Sequence, residues 1–365
     1  LYCSGLGWTQ RHYFYDYNAE KRFEEEGIAD CVEVGPTQEL QPTTTCFHIR
    51  EGYDLCPACE KVKEIAVSEA KKIAAETDVD YLQFFDQDLG GNTYPCYSKK
   101  HPHPPVPGRW MAKEMADIAD KMRAELRAGH PGKKVLIGCE AAACEPLLNE
   151  LRFNDLRYNL DLMYGIPVPA YAYIFGEYVM NYMGNHTTAT RLLNTKLYPD
   201  NVFYRTAYSF AQGDILTFMC KNDGKVNWEW NIAWDDDNEP DQEEYLNFSK
   251  MLNDLRNGPL FEVLRYGRMV KPRAVHCGRY TEKVDRSDLV RIFDEIVTTR
   301  FTTEEGKDVQ IFVNFNRRPV TFRLDGKVNA AAYRTADGER TQIAETDPEL
   351  DMPAHSALIL EYGRK

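Results

Sequence analysis

Two short apolar runs in this chain each end in a carboxylate. Tyr81-Leu82-Gln83-Phe84-Phe85 leads into Asp86-Gln87-Asp88 and a Gly90-Gly91 pair, while Val135-Leu136-Ile137-Gly138-Cys139 leads into Glu140. Continuous hydrophobicity over so few residues describes a strand buried on both faces, as in the parallel sheet of an α/β protein, and the acid then sits where the chain leaves the sheet. Two carboxyl groups about 5 Å apart can divide the cleavage of an acetal between them, one attacking carbon and the other protonating the departing oxygen. The plainer role for Asp86 and Asp88, opening a loop or capping a turn, stands beside that one. Glu145 is a rival acid, set beyond the second strand end by more than a helical turn; its plainer role is to favour a helix N-terminus.

The elements between the acids supply the reason to pair them. Met111, Met115, Ile118, Met122 and Leu126 recur at helical spacing across 109–126, so strand, helix and strand form one right-handed βαβ unit with parallel strands. If those strands are neighbours, Asp86 and Glu140 open onto one mouth, as at the carboxyl edge of a β/α barrel. A helix over 58–75, marked by Val62, Ile65, Ala66, Ala70 and Ile73, leads into the first strand. Segment 92–108 is rich in proline and carries His101 and His103, which fixes a loop shape rather than regular structure.

Cys56-Pro57-Ala58-Cys59 has the spacing of a metal or redox pair, and His101 and His103, two apart, also have ligand spacing. No second pair at similar spacing completes a tetrahedral set, and no strand precedes the CxxC as a thioredoxin-like motif requires. No metal and no cofactor is therefore expected, with a zinc site of Cys56, Cys59, His101 and His103 as the competing expectation. The ten cysteines give no legible disulfide framework and leave the compartment open, with a secreted or periplasmic location favoured over the cytoplasm.

A net charge of −13 argues against a nucleic-acid groove, which needs clustered Lys and Arg. No apolar run approaches a membrane span. The chain starts at Leu1 without initiator Met, basic region or apolar leader, and reads as processed, truncated or partial. A strand is expected at 2–6 and a long irregular loop over 12–53, so an N-terminal segment or a second subunit would have to supply the earlier barrel strands. After Glu140 a helix is expected to about 153, then a strand over 167–173 and a helix over 176–183; 203–218 has no clean period. Three of the five tryptophans fall in 227–234, where core filling competes with sugar stacking. The acidic stretch 235–244 reads as a solvated helix start, and the helix runs through Tyr245, Phe248, Met251, Leu252 and Leu255. Beyond Gly258-Pro259, short strands at 309–315, 320–324, 331–333 and 357–362, with Asp325-Gly326 and Asp337-Gly338 turns, describe an antiparallel sandwich. The fold class expected is α/β: a (β/α)8-type barrel lacking its early strands over 1–257, followed by a C-terminal antiparallel β-sandwich over 258–365.

Several of these motifs together resemble a bacterial family of glycoside-hydrolase-like barrels, the DUF6259 group. They are Cys56-Pro57-Ala58 before a helix, Asp80-Tyr81-Leu82 leading to Asp86-Gln87, His101-Pro102-His103-Pro104-Pro105, Gly108-Arg109-Trp110, Gly138-Cys139-Glu140 and Glu145-Pro146. An Asp after one strand and a Glu after the next is more distantly similar to retaining α-glycosidases of the α-amylase and endo-α-N-acetylgalactosaminidase kind. The resemblance implies a carbohydrate substrate, Asp86 as nucleophile and Glu140 as acid/base; Gln87, Asp88, His101, His103, Trp110 and Tyr173 are the expected substrate contacts. The alternative is a non-catalytic carbohydrate-binding or scaffold protein built on a degenerate glycosidase barrel.

Overall fold

Leu82, Phe84 and Phe85 are all buried although their side chains leave both faces of one short run, as a doubly covered strand requires. The computed structural model describes residues 5–12, 16–43, 50–86, 88–156, 167–184, 200–218, 220–228, 241–283 and 290–363. The chain separates into two compact units, Leu1–Asp155 and Leu156–Lys365, so the expected division at residue 257 falls inside the second.

The first unit opens with β1 (Gly7–His12), which pairs antiparallel with β2 (Tyr17–Asn18) and β3 (Arg50–Asp54). Between β2 and β3 lie α1 (Glu20–Glu25) and a 3-10 turn at Ile28–Cys31. Much of the stretch expected to be an irregular loop is thus structured, because its aromatics pack inward: Phe23 lies between Trp8 and Tyr53, with ring centroids 6.2 and 5.3 Å away. Of the strand expected at 2–6, residues 1–4 lie outside the described residues, and the observed strand begins at Gly7.

α2 (Glu60–Glu76), β4 (Tyr81–Phe85), α3 (Arg109–Gly129) and β5 (Leu136–Cys139) follow as the helix–strand alternation predicts. β4 and β5 are parallel neighbours, in register from Tyr81↔Leu136 to Phe85↔Cys139 with an irregularity after Gln83. The helices cover them through Val62, Ala66 and Ala70 on α2 and Met115, Ile118 and Met122 on α3. Each large apolar side chain so buried contributes about 1.5–3 kcal/mol. Buried Lys63 joins α2 to α3, its Nζ 2.6 Å from Glu114 and 2.8 Å from Asp117. The helix expected after Glu140 is only a 3-10 turn, Glu145–Leu147, followed by β6 (Phe153–Asp155), which lies parallel beside β5 through the Glu140↔Asp155 bridge. Leu147 and Leu151 are buried in the core beneath Gly91. Closure into a barrel is not seen among the described residues.

In the second unit, segment 167–173 does not form the expected strand. Its Tyr-Ala alternation imitates a period of two, but Pro169 caps α4 (Ala170–Phe175), which buries Ala172 and leaves Tyr173 exposed. The helix expected over 176–183 is a turn and then β7 (Met180–Tyr182). α5 (Asn201–Gln212), α6 (Gln242–Asn257) and α7 (Phe261–Tyr266) follow. α6 is capped by Asp241, whose Oδ1 accepts the Glu244 N–H at 2.8 Å. Trp228 is buried as core, whereas Trp230, Trp234 and most of the acidic stretch lie outside the described residues.

The remaining strands are β8 (Arg268–Val270), β9 (Val275–His276), β10 (Arg279–Lys283), β11 (Val290–Asp294), β12 (Ile296–Thr302), β13 (Asp308–Asn314), β14 (Val320–Leu324), β15 (Lys327–Arg334), β16 (Arg340–Thr346), β17 (Glu349–Met352) and β18 (Ser356–Tyr362). A six-stranded sheet, β16-β15-β18-β13-β12-β8, faces the three-stranded β17-β14-β9 across Phe312, Phe322, Leu324, Val328 and Leu360. Its other face packs on α5, α6 and α7 through Phe203, Phe248, Val263, Phe301 and Ile311. That shared core is why these helices and the antiparallel sheets form one unit. Gly338, at φ +71°, closes the β15–β16 hairpin, and Gly326, at φ +79°, turns the chain from one sheet into the other.

Candidate active site

Asp86 and Glu140 are the residues that follow the last paired positions of β4 and β5, Phe85 and Cys139. The Glu140 N–H donates to the Phe85 carbonyl at 2.8 Å, fixing the second strand end against the first. Neighbouring strands lie about 4.8 Å apart, so both acids leave the same sheet edge side by side. Each is half-buried. Gln83, which points inward from β4, donates through Nε2 to Asp86 Oδ1 at 2.5 Å. The loop after β4 is stitched to the chain after β5: Gly90 N–H donates to the Glu140 carbonyl at 2.8 Å and Cys144 N–H to the Gly90 carbonyl at 2.9 Å. Gly90 has φ +68°, and a Cβ there would come within 2.9 Å of the Ala142 carbonyl oxygen, so this crossing favours glycine.

Behind the pair lies a layer of buried acids. Asp88 accepts the Leu6 N–H at 3.4 Å, and burial pushes its carboxyl up to about 8, with the charges of Asp54, Asp86 and Glu140 acting in the same direction. Glu33, fully buried, is held well above the usual carboxylate range by desolvation, despite the Thr93 hydroxyl donating to it. Asp155, buried at the end of β6, raises the Cys139 thiol together with Asp88 and Glu140, after the larger effect of burial. Asp155, Glu33 and Asp54 were not identified from the sequence. Phe153-Asn154-Asp155 also ends a strand in an acid, but with one apolar residue it carries no strand signal.

The other expected residues divide. Glu145 is exposed at the first position of its 3-10 turn. Gln87 lies outside the described residues. Trp110 opens α3 and is half-buried; it stacks on His103 at 3.8 Å and donates Nε1–H to the Val106 carbonyl at 2.9 Å. His101 lies 3.4 Å from Cys96 Sγ, and His103 joins them in a cluster with Cys56. Tyr173 belongs to the second unit, exposed on α4. Cys96 was also missed, since nothing in its neighbourhood of sequence links it to Cys56.

Over its whole length the chain is similar in fold to α-amylases. The crystal structure of α-amylase from H. orenii matches with a TM-score of 0.54 at 15% identity, covering 98% of this chain and 79% of that one. The Anoxybacillus α-amylase matches with a TM-score of 0.50 at 13% identity, covering 94% and 72%. No curated protein matches. Residues 8–186 match the family model described as a domain of unknown function, DUF6259. They contain β4, β5, β6 and both half-buried acids, so the similarity to that family covers the part of the chain that carries the candidate site.

Proposed function

We propose that the protein is a glycoside hydrolase acting on oligo- or polysaccharides, with Asp86 as nucleophile and Glu140 as acid/base of a retaining reaction. The observation that carries this reading is the Phe85↔Cys139 register, which sends two half-buried carboxylates off one edge of adjacent parallel strands. The α-amylase-like fold supports it as analogy. Asp86 attacks the anomeric carbon while Glu140 gives its proton to the glycosidic oxygen, which leaves with the bonding electron pair. Glu140, now a carboxylate, takes a proton from water as the water oxygen attacks the same carbon and Asp86 departs. Gln83 aims Asp86 through its 2.5 Å hydrogen bond. In this reading strands β4 to β6 belong to a (β/α)8-type barrel running to about residue 257, with the sandwich from 258, and Gln87, next to Asp86, contacts the sugar.

The test is hydrolysis of a panel of nitrophenyl α- and β-glycosides and of oligosaccharides by the wild type, Asp86→Asn and Glu140→Gln. Glu140→Gln is expected to lower turnover of oligosaccharides by about 10²–10⁴ and to spare activated aryl glycosides, which need little protonation. Asp86→Asn is expected to abolish both. Binding of oligosaccharides without turnover, unchanged in Asp86→Asn, would instead identify a non-catalytic carbohydrate-binding chain.

A further inference from the structure

The geometry points to a structural zinc site formed by Cys56, Cys96, His101 and His103. One donor atom from each lies within 4.8 Å of the other three. Tetrahedral zinc, with Zn–S near 2.3 Å and Zn–N near 2.0–2.1 Å, holds its ligands roughly 3.3–3.8 Å apart, so closure needs shifts of about 1 Å. The site stands apart from the hydrolase reading and survives its failure.

The two imidazoles are already in the tautomers such a site requires. His101 Nε2 lies 3.0 Å from the Asp30 carbonyl oxygen and so carries the hydrogen, leaving the Nδ1 lone pair 3.4 Å from Cys96 Sγ. His103 is reversed: Nδ1 donates to the Pro104 carbonyl at 2.7 Å, leaving the lone pair on Nε2. That Nε2 atom is buried and has no hydrogen-bond partner. An unmet buried acceptor is costly, and a metal ion would meet it. Donation of the second ring N–H to a backbone carbonyl is the usual way a ligating histidine is oriented.

The frame around the donors is rigid. Cys56 and Cys96 are fully buried. The Cys56 N–H donates to the Cys31 carbonyl at 2.8 Å, and the Val34 N–H points at Cys96 Sγ from 3.4 Å, a contact suited to a thiolate ligand. Trp110 stacks on the His103 ring with planes 9° apart. Cys59 is buried three residues after Cys56 and is not among the four clustered donors. Binding replaces two thiol protons with one Zn²⁺, leaving a neutral centre of two thiolates, two neutral imidazoles and the ion, which limits the cost of burial. Four protein ligands leave no open position, so the ion is structural. It would pin the proline-rich loop 92–108, which follows the edge bearing Asp86, to the residues that start α2.

The full chain, purified without added metal or chelator, should contain about one zinc per molecule by elemental analysis. Cys96→Ser and His103→Ala should each reduce this to below about a tenth, while Cys59→Ser and Cys220→Ser should retain it. Cobalt loaded into the wild type should show the intense d–d and thiolate charge-transfer bands of a tetrahedral two-sulfur site, a measurement that does not depend on any variant folding. The inference is overturned by wild type without stoichiometric zinc, by a cobalt spectrum without thiolate bands, or by a Cys56–Cys96 disulfide in non-reducing mass analysis. Zinc lost in Cys59→Ser but kept in His103→Ala would overturn this ligand set.

Discussion

On β14 of the sandwich, burial and polarity alternate. Val320, Phe322 and Leu324 are buried while Thr321 and Arg323 are exposed. At the edge of β4 and β5 the rule is broken, and Glu33, Asp54, Asp88 and Asp155 are buried. Apolar burial stabilises a fold, whereas a buried carboxyl costs free energy unless it is neutral or paired. Part of the stability that the apolar core of the first unit supplies is therefore given up where Asp86 and Glu140 leave the sheet. The two regions should answer to different measurements.

The sharpest separation is expected from Asp86→Asn, which should lower glycosidase activity by about 10³-fold or more, about 4 kcal/mol of barrier, while the urea midpoint stays within about 0.5 kcal/mol of wild type. Phe312→Ala should do the reverse. Phe312 is fully buried and stacks on Phe322 with centroids 5.1 Å apart, so its truncation should cost about 3–5 kcal/mol of stability and leave activity per folded molecule unchanged. An Asp86→Asn protein that is inactive only because it unfolds would break the comparison.

A subtler difference is one of pH. Asp88 keeps its proton in the folded chain up to about pH 8, whereas in the unfolded chain it loses that proton near 3.8. Between those values the folded state binds the extra proton, so stability falls as pH rises from about 4 to about 8 and is lowest above that range. Asp88→Asn has no such proton yet still offers an oxygen to the Leu6 N–H. Relative to wild type it should gain several kcal/mol on going from pH 5 to pH 8.5, read from urea midpoints at the two values. Glu33, raised mainly by burial and also by the Asp88 charge, contributes a slope of the same sign in both proteins, smaller in Asp88→Asn, so the difference reads Asp88 together with its effect on Glu33. A constant difference between the two proteins across this range would mean that Asp88 is ionised in the fold.

Legibility in the sequence follows the same divide. β4, β5 and the sandwich strands β13, β14, β15 and β18 were readable because their hydrophobicity is either continuous or alternating. α5 was not, because all twelve of its residues are buried, so its polar residues Arg205, Ser209 and Gln212 mark no solvent face. α4 was misread through a Tyr-Ala alternation that Pro169 overrides. At the candidate site the strand-end acids were legible. Glu33 and Asp54 were not, since burial of an acid is decided by tertiary packing, and Cys96 was missed because only the fold brings it to Cys56.

Two glycines test the regions at finer scale. Gly91, at φ +77°, follows the acidic edge, and a Cβ there would lie 2.5 Å from Leu151 Cδ1 and 2.7 Å from Leu147 Cδ1. Gly326, at φ +79° in the sandwich, has nothing within 4 Å of a Cβ. Gly326→Ala should therefore cost only the left-handed backbone penalty of about 1 kcal/mol. Gly91→Ala adds crowding and should cost about 2–3 kcal/mol, with a loss of activity as the loop after β4 shifts. Equal thermal shifts for the two variants would show that the leucines beneath Gly91 move aside freely.

The smallest effect is expected at Glu145, and it decides which glutamate is the acid. Glu145 is exposed at the start of a 3-10 turn, where its charge suits the N-terminus but touches no strand edge. Glu140 is tied at both ends, its N–H to the Phe85 carbonyl and its carbonyl to the Gly90 N–H, each at 2.8 Å, and so shares the edge from which Asp86 emerges. Glu145→Gln should leave oligosaccharide turnover within about twofold of wild type and stability within about 0.5 kcal/mol, since surface changes rarely exceed that. If Glu145→Gln instead loses turnover on poor leaving groups while Glu140→Gln keeps it, the proton comes from Glu145. The β5 edge then only holds the loop that carries the true acid, and the pairing read from the Phe85↔Cys139 register would have no catalytic meaning.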